Sequence, residues 1–262
     1  MQNLGQHFLR NSSVLRKIAL AVPIKSGETI IEIGPGHGEL TKFLFEQVAE
    51  QKSSSRSPVV LIEKDRRLAA QLLDSFPRAE VADGDVLEIL PRLVRDRKLR
   101  TGGYQLVGNI PYYITGHLLR TIGCLKSRPR SCVFLVQKEV AERIAAQPPR
   151  MNRLAASVQI WAHPQALFSV PRRDFIPPPR VDSAVIRLEL LPKPLIASAE
   201  AADSILRILF AQPRKTVLNN LRTHLPSREV LDRFFEREGL DPRVRPQNLS
   251  LQQIASIGKL IR

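Results

Sequence analysis

Apolar residues in this chain follow two alternating rhythms. Short apolar blocks at Thr29 to Gly34, Val59 to Lys64, Glu80 to Asp85, Gln105 to Asn109 and Ser131 to Gln137 are separated by longer stretches with helical spacing. A strand covered on both faces reads as a continuous apolar run, whereas recurrence every three or four residues marks a helix with one buried face. Their alternation predicts βαβ units around a parallel sheet, an α/β fold. Helical spacing returns over Arg153 to Ala162, and Gln165 to Val170 and Asp182 to Leu190 then read as strands. The short connection between these two favours antiparallel pairing, so the sheet is expected to close as a mixed one.

Beyond Leu191-Pro192-Lys193-Pro194 only helical periodicity remains, near Ala201 to Gln212, Lys215 to His224, Arg228 to Glu238 and Leu251 to Ile261. The expected division is a larger domain over 1–192 and a small helical domain over 193–262. Glu50 to Pro58 is polar and serine-rich, which reads as a mobile surface insertion rather than a boundary. No internal repeat is visible.

Composition narrows the class. At 262 residues, 43% hydrophobic and 25% charged, the chain is long enough for a sizeable core and is neither disordered nor fibrous. No run approaches the roughly 18 apolar residues of a membrane span, and the start lacks the blocks of a signal peptide, so a cytosolic protein is expected. Cys124 and Cys132 are too few for a disulfide framework or a four-cysteine zinc site, and no thiol or metal chemistry is expected. Forty basic against 25 acidic residues give +15, which favours a polyanionic partner and above all nucleic acid. The bland alternative is a merely basic soluble protein. Residues 195–262 hold 11 basic and 7 acidic residues, net +4, leaving +11 for the larger part.

The first strand runs into Glu32-Ile33-Gly34-Pro35-Gly36-His37-Gly38-Glu39, where three glycines alternate before a helix. Such a loop lets the backbone turn sharply and approach a ligand. The dinucleotide fingerprint needs a glycine where Glu39 stands, and a pyrophosphate would meet that acid. A ligand bearing an amine and a sulfonium suits an acidic helix start better, favouring S-adenosylmethionine over a nicotinamide cofactor. A plain tight turn is the competing explanation. Glu63 ends the second strand, placed to accept from ribose hydroxyls, and Asp85 ends the third, within reach of an adenine amine. Each acid alone reads equally as a helix N-cap.

Asn109-Ile110-Pro111-Tyr112 follows the fourth strand. The amine of adenine is a poor nucleophile because its lone pair is delocalised into the ring. Two acceptors, the Asn109 side-chain oxygen and the Ile110 carbonyl, can draw that pair out of plane, with Pro111 fixing the carbonyl and Tyr112 stacking on the base. An ordinary Asn/Pro turn is the alternative. In Phe175-Ile176-Pro177-Pro178-Pro179-Arg180 the prolines hold the chain extended, so Phe175 is expected as a second wall opposite Tyr112; the alternative is a polyproline connection with a core phenylalanine.

These strings, with Leu4-Gly5-Gln6-His7-Phe8-Leu9, Gln137-Lys138-Glu139-Val140-Ala141, Phe175 to Val185 and Arg214-Lys215-Thr216, resemble the KsgA-type small-subunit ribosomal RNA adenine dimethyltransferases over nearly the whole length. The resemblance implies a class I (Rossmann-like) methyltransferase with a mostly parallel seven-stranded sheet and a small C-terminal helical domain. It implies transfer from S-adenosylmethionine to two adjacent adenosines in a hairpin loop near the 3′ end of small-subunit RNA, and a late role in assembly of that subunit. By the same resemblance His7 and Leu9 close over the methionine end of the cofactor and Gly34 and Gly36 approach it. Glu63 holds the ribose, Asp85 with the Val86 backbone the adenine, and Asn109 touches cofactor and target. The chain departs from the family in lacking a basic lead-in before Leu4, in Met151-Asn152-Arg153 for a common Tyr-Gly-Arg, and in Pro213 where a second arginine is common. Candidates for phosphate contacts are Arg150, Arg153, Arg172, Arg173 and Arg180 near the expected cleft mouth, with Arg214, Lys215 and Arg222 as a second set. The expected partner is small-subunit RNA or the immature subunit, without membrane, and the protein is expected as a monomer. A resistance-type large-subunit enzyme, a non-catalytic assembly or transcription factor, and a nicotinamide oxidoreductase are the competing classes.

Overall fold

The computed structural model of the chain describes residues 7–50, 59–222, 224 and 228–260. Leu4-Gly5-Gln6 and the serine-rich 51–58 part of the expected insertion lie outside the described residues. In chain order the elements are β1 (Phe8–Leu9), α1 (Ser12–Leu20), β2 (Thr29–Ile33), α2 (Glu39–Glu50), β3 (Val59–Glu63), α3 (Arg66–Ser75), β4 (Glu80–Asp83) and α4 (Val86–Asp96). There follow β5 (Tyr104–Asn109), α5 (Thr115–Cys124), β6 (Ser131–Gln137), α6 (Lys138–Ile144), α7 (Arg153–Gln159), β7 (Ala162–Val170), β8 (Phe175–Ile176) and β9 (Ser183–Leu190). Helices α8 (Ala199–Leu209), α9 (Val217–Leu221), α10 (Arg228–Arg237) and α11 (Leu251–Leu260) complete the chain.

Among the described residues one sheet runs β4-β3-β2-β5-β6-β9-β7, and β1 pairs separately with β8. Strands β2 to β6 pair in parallel, while β9 runs antiparallel to β6 from Ser131↔Glu189 to Gln137↔Ser183. The mixed, mostly parallel sheet expected from the apolar blocks is therefore present. Its inner strands are covered on both sides: Ile30, Ile31, Val59, Val60 and Leu61 have no exposed surface. The chain winds outward from β2 through β3 to β4 in one direction and from β5 to β6 in the other. The crevice beyond the carboxyl ends of β2 and β5 is thus the switch point at which open α/β sheets bind ligands.

The other end of the sheet is pinned. Gln105, fully buried in β5, donates to the Pro23 carbonyl at 2.7 Å and to Glu28 at 2.9 Å and accepts from Ser131 at 2.8 Å. Arg130 closes the network with two 2.6 Å bonds to Glu28. Satisfying these buried polar groups rigidifies the frame beneath the site.

Contacts separate two compact units, one of residues up to Ala141 with Pro164–Leu190, the other of Glu142–His163 with residues from Leu191 onward. The boundary near 191 matches the composition break, but residues 142–163 join the helical unit rather than the larger one. The reason is packing: Met151, Ala155, Ala156 and Ile160 share a core with Leu206, Leu209, Phe234 and Ile257. The helix expected over Arg153 to Ala162 stops at Gln159, and Ala162 already begins β7. Helix α9 is shorter than the expected Lys215 to His224 because the Thr216 hydroxyl caps it, accepting from Asn219 N–H at 3.3 Å. Strands β1 and β8 are too short to leave a periodic signal.

Candidate active site

A cleft of about 890 Å³ opens at the switch point within the larger unit, lined by the carboxyl ends of β2, β3 and β5 and by the turns that follow β2, β4 and β5. His7, Gly34, Gly36, Glu63, Asp85, Val86, Asn109, Ile110 and Tyr112, all singled out from sequence, face it.

The glycine loop works as its spacing suggests. Gly34 and Gly36 sit at φ +64° and +61°, where side chains are strained, and a Cβ on Gly36 would lie 2.9 Å from the Phe8 ring. Beside the loop, Glu63 is 4% exposed. Its Oε2 accepts from Gly36 N–H at 3.0 Å and its Oε1 from Asp65 N–H at 2.9 Å. Burial pushes this carboxyl above its ordinary value, against the pull of those backbone donors. Each oxygen keeps a second lone pair, so the carboxylate can still accept from a pair of hydroxyls. A tight glycine turn against an oriented carboxylate fits an aminoacyl nucleoside such as S-adenosylmethionine.

Asp85 lies two residues past β4 and is both lining residue and N-cap. Its Oδ1 accepts from Leu87 N–H at 3.0 Å and its Oδ2 from the Lys64 ammonium at 2.9 Å. The bond to Lys64 holds its carboxyl below the ordinary value. Val86 opens α4, where the first amides have no partner within the helix.

At the end of β5, Asn109 Nδ2 donates to the His7 carbonyl at 2.9 Å, which leaves the side-chain oxygen as the acceptor this amide offers the cleft. Ile110 is fixed by its N–H bond to the Leu135 carbonyl at 3.1 Å, and Pro111 leads into the turn carrying Tyr112. The Tyr112 hydroxyl pairs with Ser183 at 2.9 Å, and burial raises its pKa. The His7 ring lies 6.2 Å from the Tyr112 ring at 28°, held by Nδ1 donating to the Pro177 carbonyl at 2.8 Å.

Two expected roles differ in the structure. Phe175 does not wall the cleft: it is 2% exposed and packs in the core beside Val170 and Val185. Its strand β8 pairs with β1 so that Leu9 faces Phe175 and Phe8 faces Ile176, and neighbouring residues of a strand point to opposite sides. Leu9 and Phe175 turn inward together, and the polyproline connection with a core phenylalanine describes this segment. For the same reason Leu9 is buried and lines a smaller adjoining cavity of about 410 Å³ with Glu32 and Glu39, while Phe8 reaches the main cleft. Its ring rests on His37 at 4.8 Å.

The eight basic candidates are all exposed. Arg172, Arg173 and Arg180 belong to the larger unit, Arg150, Arg153, Arg214, Lys215 and Arg222 to the other, so the first expected set is divided between units. Arg153 is paired with Asp203 at 3.2 Å.

Sequence reasoning missed Phe8, Lys64, Gly108 and Tyr113. Gly108 precedes Asn109 because a Cβ there would strike the Ile33 carbonyl oxygen across the β2–β5 pair. The doublet Tyr112-Tyr113 was a signal for the last: Tyr113 lines the cleft with 61% of its surface exposed.

Strand order, switch-point cleft and glycine loop define a class I methyltransferase. Two solved structures share the fold over 97% of this chain and 99% of their own, both at 24% identity: a 23S rRNA methyltransferase, ErmE, at TM-score 0.71, and a dimethyladenosine transferase from Plasmodium falciparum at 0.72. The chain belongs to the ribosomal RNA adenine dimethylase family, whose model matches residues 1–262. Curated relatives include ribosomal RNA small subunit methyltransferase A of Geobacillus thermodenitrificans, 35% identical over 99% of this chain and 90% of the relative. That of Dehalococcoides mccartyi strain 195 is 34% identical over 96% and 85%.

Proposed function

We propose that this family member converts two adjacent adenosines in the 3′-terminal hairpin loop of small-subunit ribosomal RNA to dimethyladenosines, in the cytoplasm and late in subunit assembly. Small-subunit enzymes among its relatives and the strings at Gln137 to Ala141 and Phe175 to Val185 support that substrate over large-subunit RNA. S-adenosylmethionine, held by Gly34, Gly36, Glu63, Asp85 and Val86, would supply a methyl group activated on a sulfonium.

The observation that carries the reading is the fixed amide of Asn109. Because its nitrogen is committed to the His7 carbonyl, its oxygen serves as acceptor for the target amine, with the Ile110 carbonyl as the second. Two acceptors on one amine localise its lone pair on nitrogen, and they gain strength as positive charge develops there. The nitrogen forms a bond to the methyl carbon as the sulfur–carbon bond breaks, and the amine proton, acidic only then, leaves to water. Tyr112 offers its ring to the extruded base, and stacking worth about 1–3 kcal/mol helps offset unstacking. Arg172, Arg173 and Arg180, and on the helical unit Arg150, Arg153, Arg214, Lys215 and Arg222, are proposed to contact phosphates, with the protein acting as a monomer.

The test is mass spectrometry of RNA from unmethylated small subunits incubated with the purified protein and methyl donor. Two neighbouring dimethyladenosines are expected in the 3′-terminal hairpin. Modification confined to large-subunit RNA, or absent from both, overturns the assignment.

A further inference from the structure

Lys64 has no part in the reading above, yet its ammonium sits 2.9 Å from Asp85 Oδ2 among the residues that line the cleft. Strand β3 delivers Lys64 directly after Glu63, and the turn after neighbouring β4 delivers Asp85, so two parallel strands place a cation and an anion side by side on the rim. The fold does not need this pair. Leu87 N–H already holds Asp85 as a cap, and the Lys64 and Asp85 side chains are 52% and 28% exposed, where ion pairs add little stability. The bond to Asp85 keeps Lys64 protonated, and hence a donor only.

A donor fixed beside an acceptor is the pattern that Asn or Gln presents to the N6/N7 edge of adenine. Asp85 alone supplies only the acceptor. Resting on the assignment of this cleft to S-adenosylmethionine, we propose that Lys64 is a specificity-determining residue for the purine of the cofactor. Its ammonium donates to N7 while Asp85 accepts from the N6 amine. The pair selects adenine at both positions: a 6-oxo purine sets an acceptor against Asp85, and a 7-deaza purine deprives Lys64 of its partner.

Calorimetric titration of S-adenosylhomocysteine and its 7-deaza analogue into the wild-type protein, Lys64→Met and Lys64→Arg tests this. The wild type is expected to bind the 7-deaza ligand roughly tenfold more weakly, the worth of one hydrogen bond to a charged group. Lys64→Met, which keeps the aliphatic stem, should lose about that factor for the parent ligand and little for the analogue. Lys64→Arg should retain the discrimination. Equal wild-type affinity for the two ligands overturns the inference while leaving the cofactor assignment intact, as does a Lys64→Met loss of the same size for both, which marks Lys64 as merely orienting Asp85. Failure of the wild type to bind S-adenosylhomocysteine removes the cofactor assignment and the inference together.

Discussion

The side-chain amide of Asn109 is tied to the main chain of His7, 102 residues earlier, by a 2.9 Å hydrogen bond. Orientation of the amide that meets the target nitrogen therefore depends on β1, a two-residue strand anchored to β8 by Leu9↔Phe175 and by Arg10 N–H donating to the Asp174 carbonyl at 2.8 Å. Asn109→Asp preserves shape but has no N–H for the His7 carbonyl and sets a negative charge against it. Turnover is expected to fall by about 10²–10³, the range for losing one oriented polar group in a transition state, with S-adenosylhomocysteine affinity changed only a few fold. Single-turnover kinetics beside calorimetry check this; near-normal turnover removes Asn109 from the role.

Glu63→Ala should act on cofactor binding. Loss of the carboxylate removes the acceptor for the ribose and leaves Gly36 and Asp65 N–H unpaired, so affinity is expected to fall by roughly ten- to a hundredfold. Burial raises the Glu63 pKa, so in the wild type cofactor affinity should begin to drop, as pH is lowered, above the range where an ordinary glutamate titrates. Calorimetry across pH in both proteins measures each effect, and a pH dependence unchanged in Glu63→Ala contradicts the assignment.

Glu32 provides a stability test away from catalysis. It is 1% exposed, donates a proton to no acceptor it needs when ionised, and is met by the Thr41 hydroxyl at 2.7 Å; burial pushes its pKa up to about 8. A carboxyl whose pKa is higher folded than unfolded binds more protons in the native state, so stability is greatest below the unfolded value and falls as pH rises toward about 8. Glu32→Gln, neutral at every pH, should flatten that fall and raise the melting temperature at pH 8 while changing it little at pH 5. Parallel wild-type and variant melting curves against pH would refute this.

Phe175 separates core from pocket. With 2% exposure and neighbours in the main core, Phe175→Ala should lower stability by about 3–5 kcal/mol, the usual cost of emptying a buried phenylalanine site. Denaturant unfolding measures it. A loss under about 1 kcal/mol, accompanied by a large rise in KM for RNA, would return Phe175 to the wall of the base pocket.

Much of the site was legible because its residues stand where strands end. Apolar runs fix β2, β3, β5 and β6, and the residue after each run is carried to one edge of a parallel sheet, which brought Gly34, Glu63 and Asn109 together from sequence alone. Asp85 could be read either as a cap or as a ligand residue, and it is built as both. Phe175 misled because three prolines describe an extended chain but not which side of it faces inward.

The sequence by itself determined the order of strands and helices, the glycine turn and the identity of the acids and the amide, since these follow from local periodicity and residue chemistry. Only the tertiary structure decided the facing of β1 and β8, the membership of residues 142–163 and the meeting of Lys64 with Asp85. Side-chain direction in a short strand and pairing across distant elements are set by packing partners that no local pattern contains.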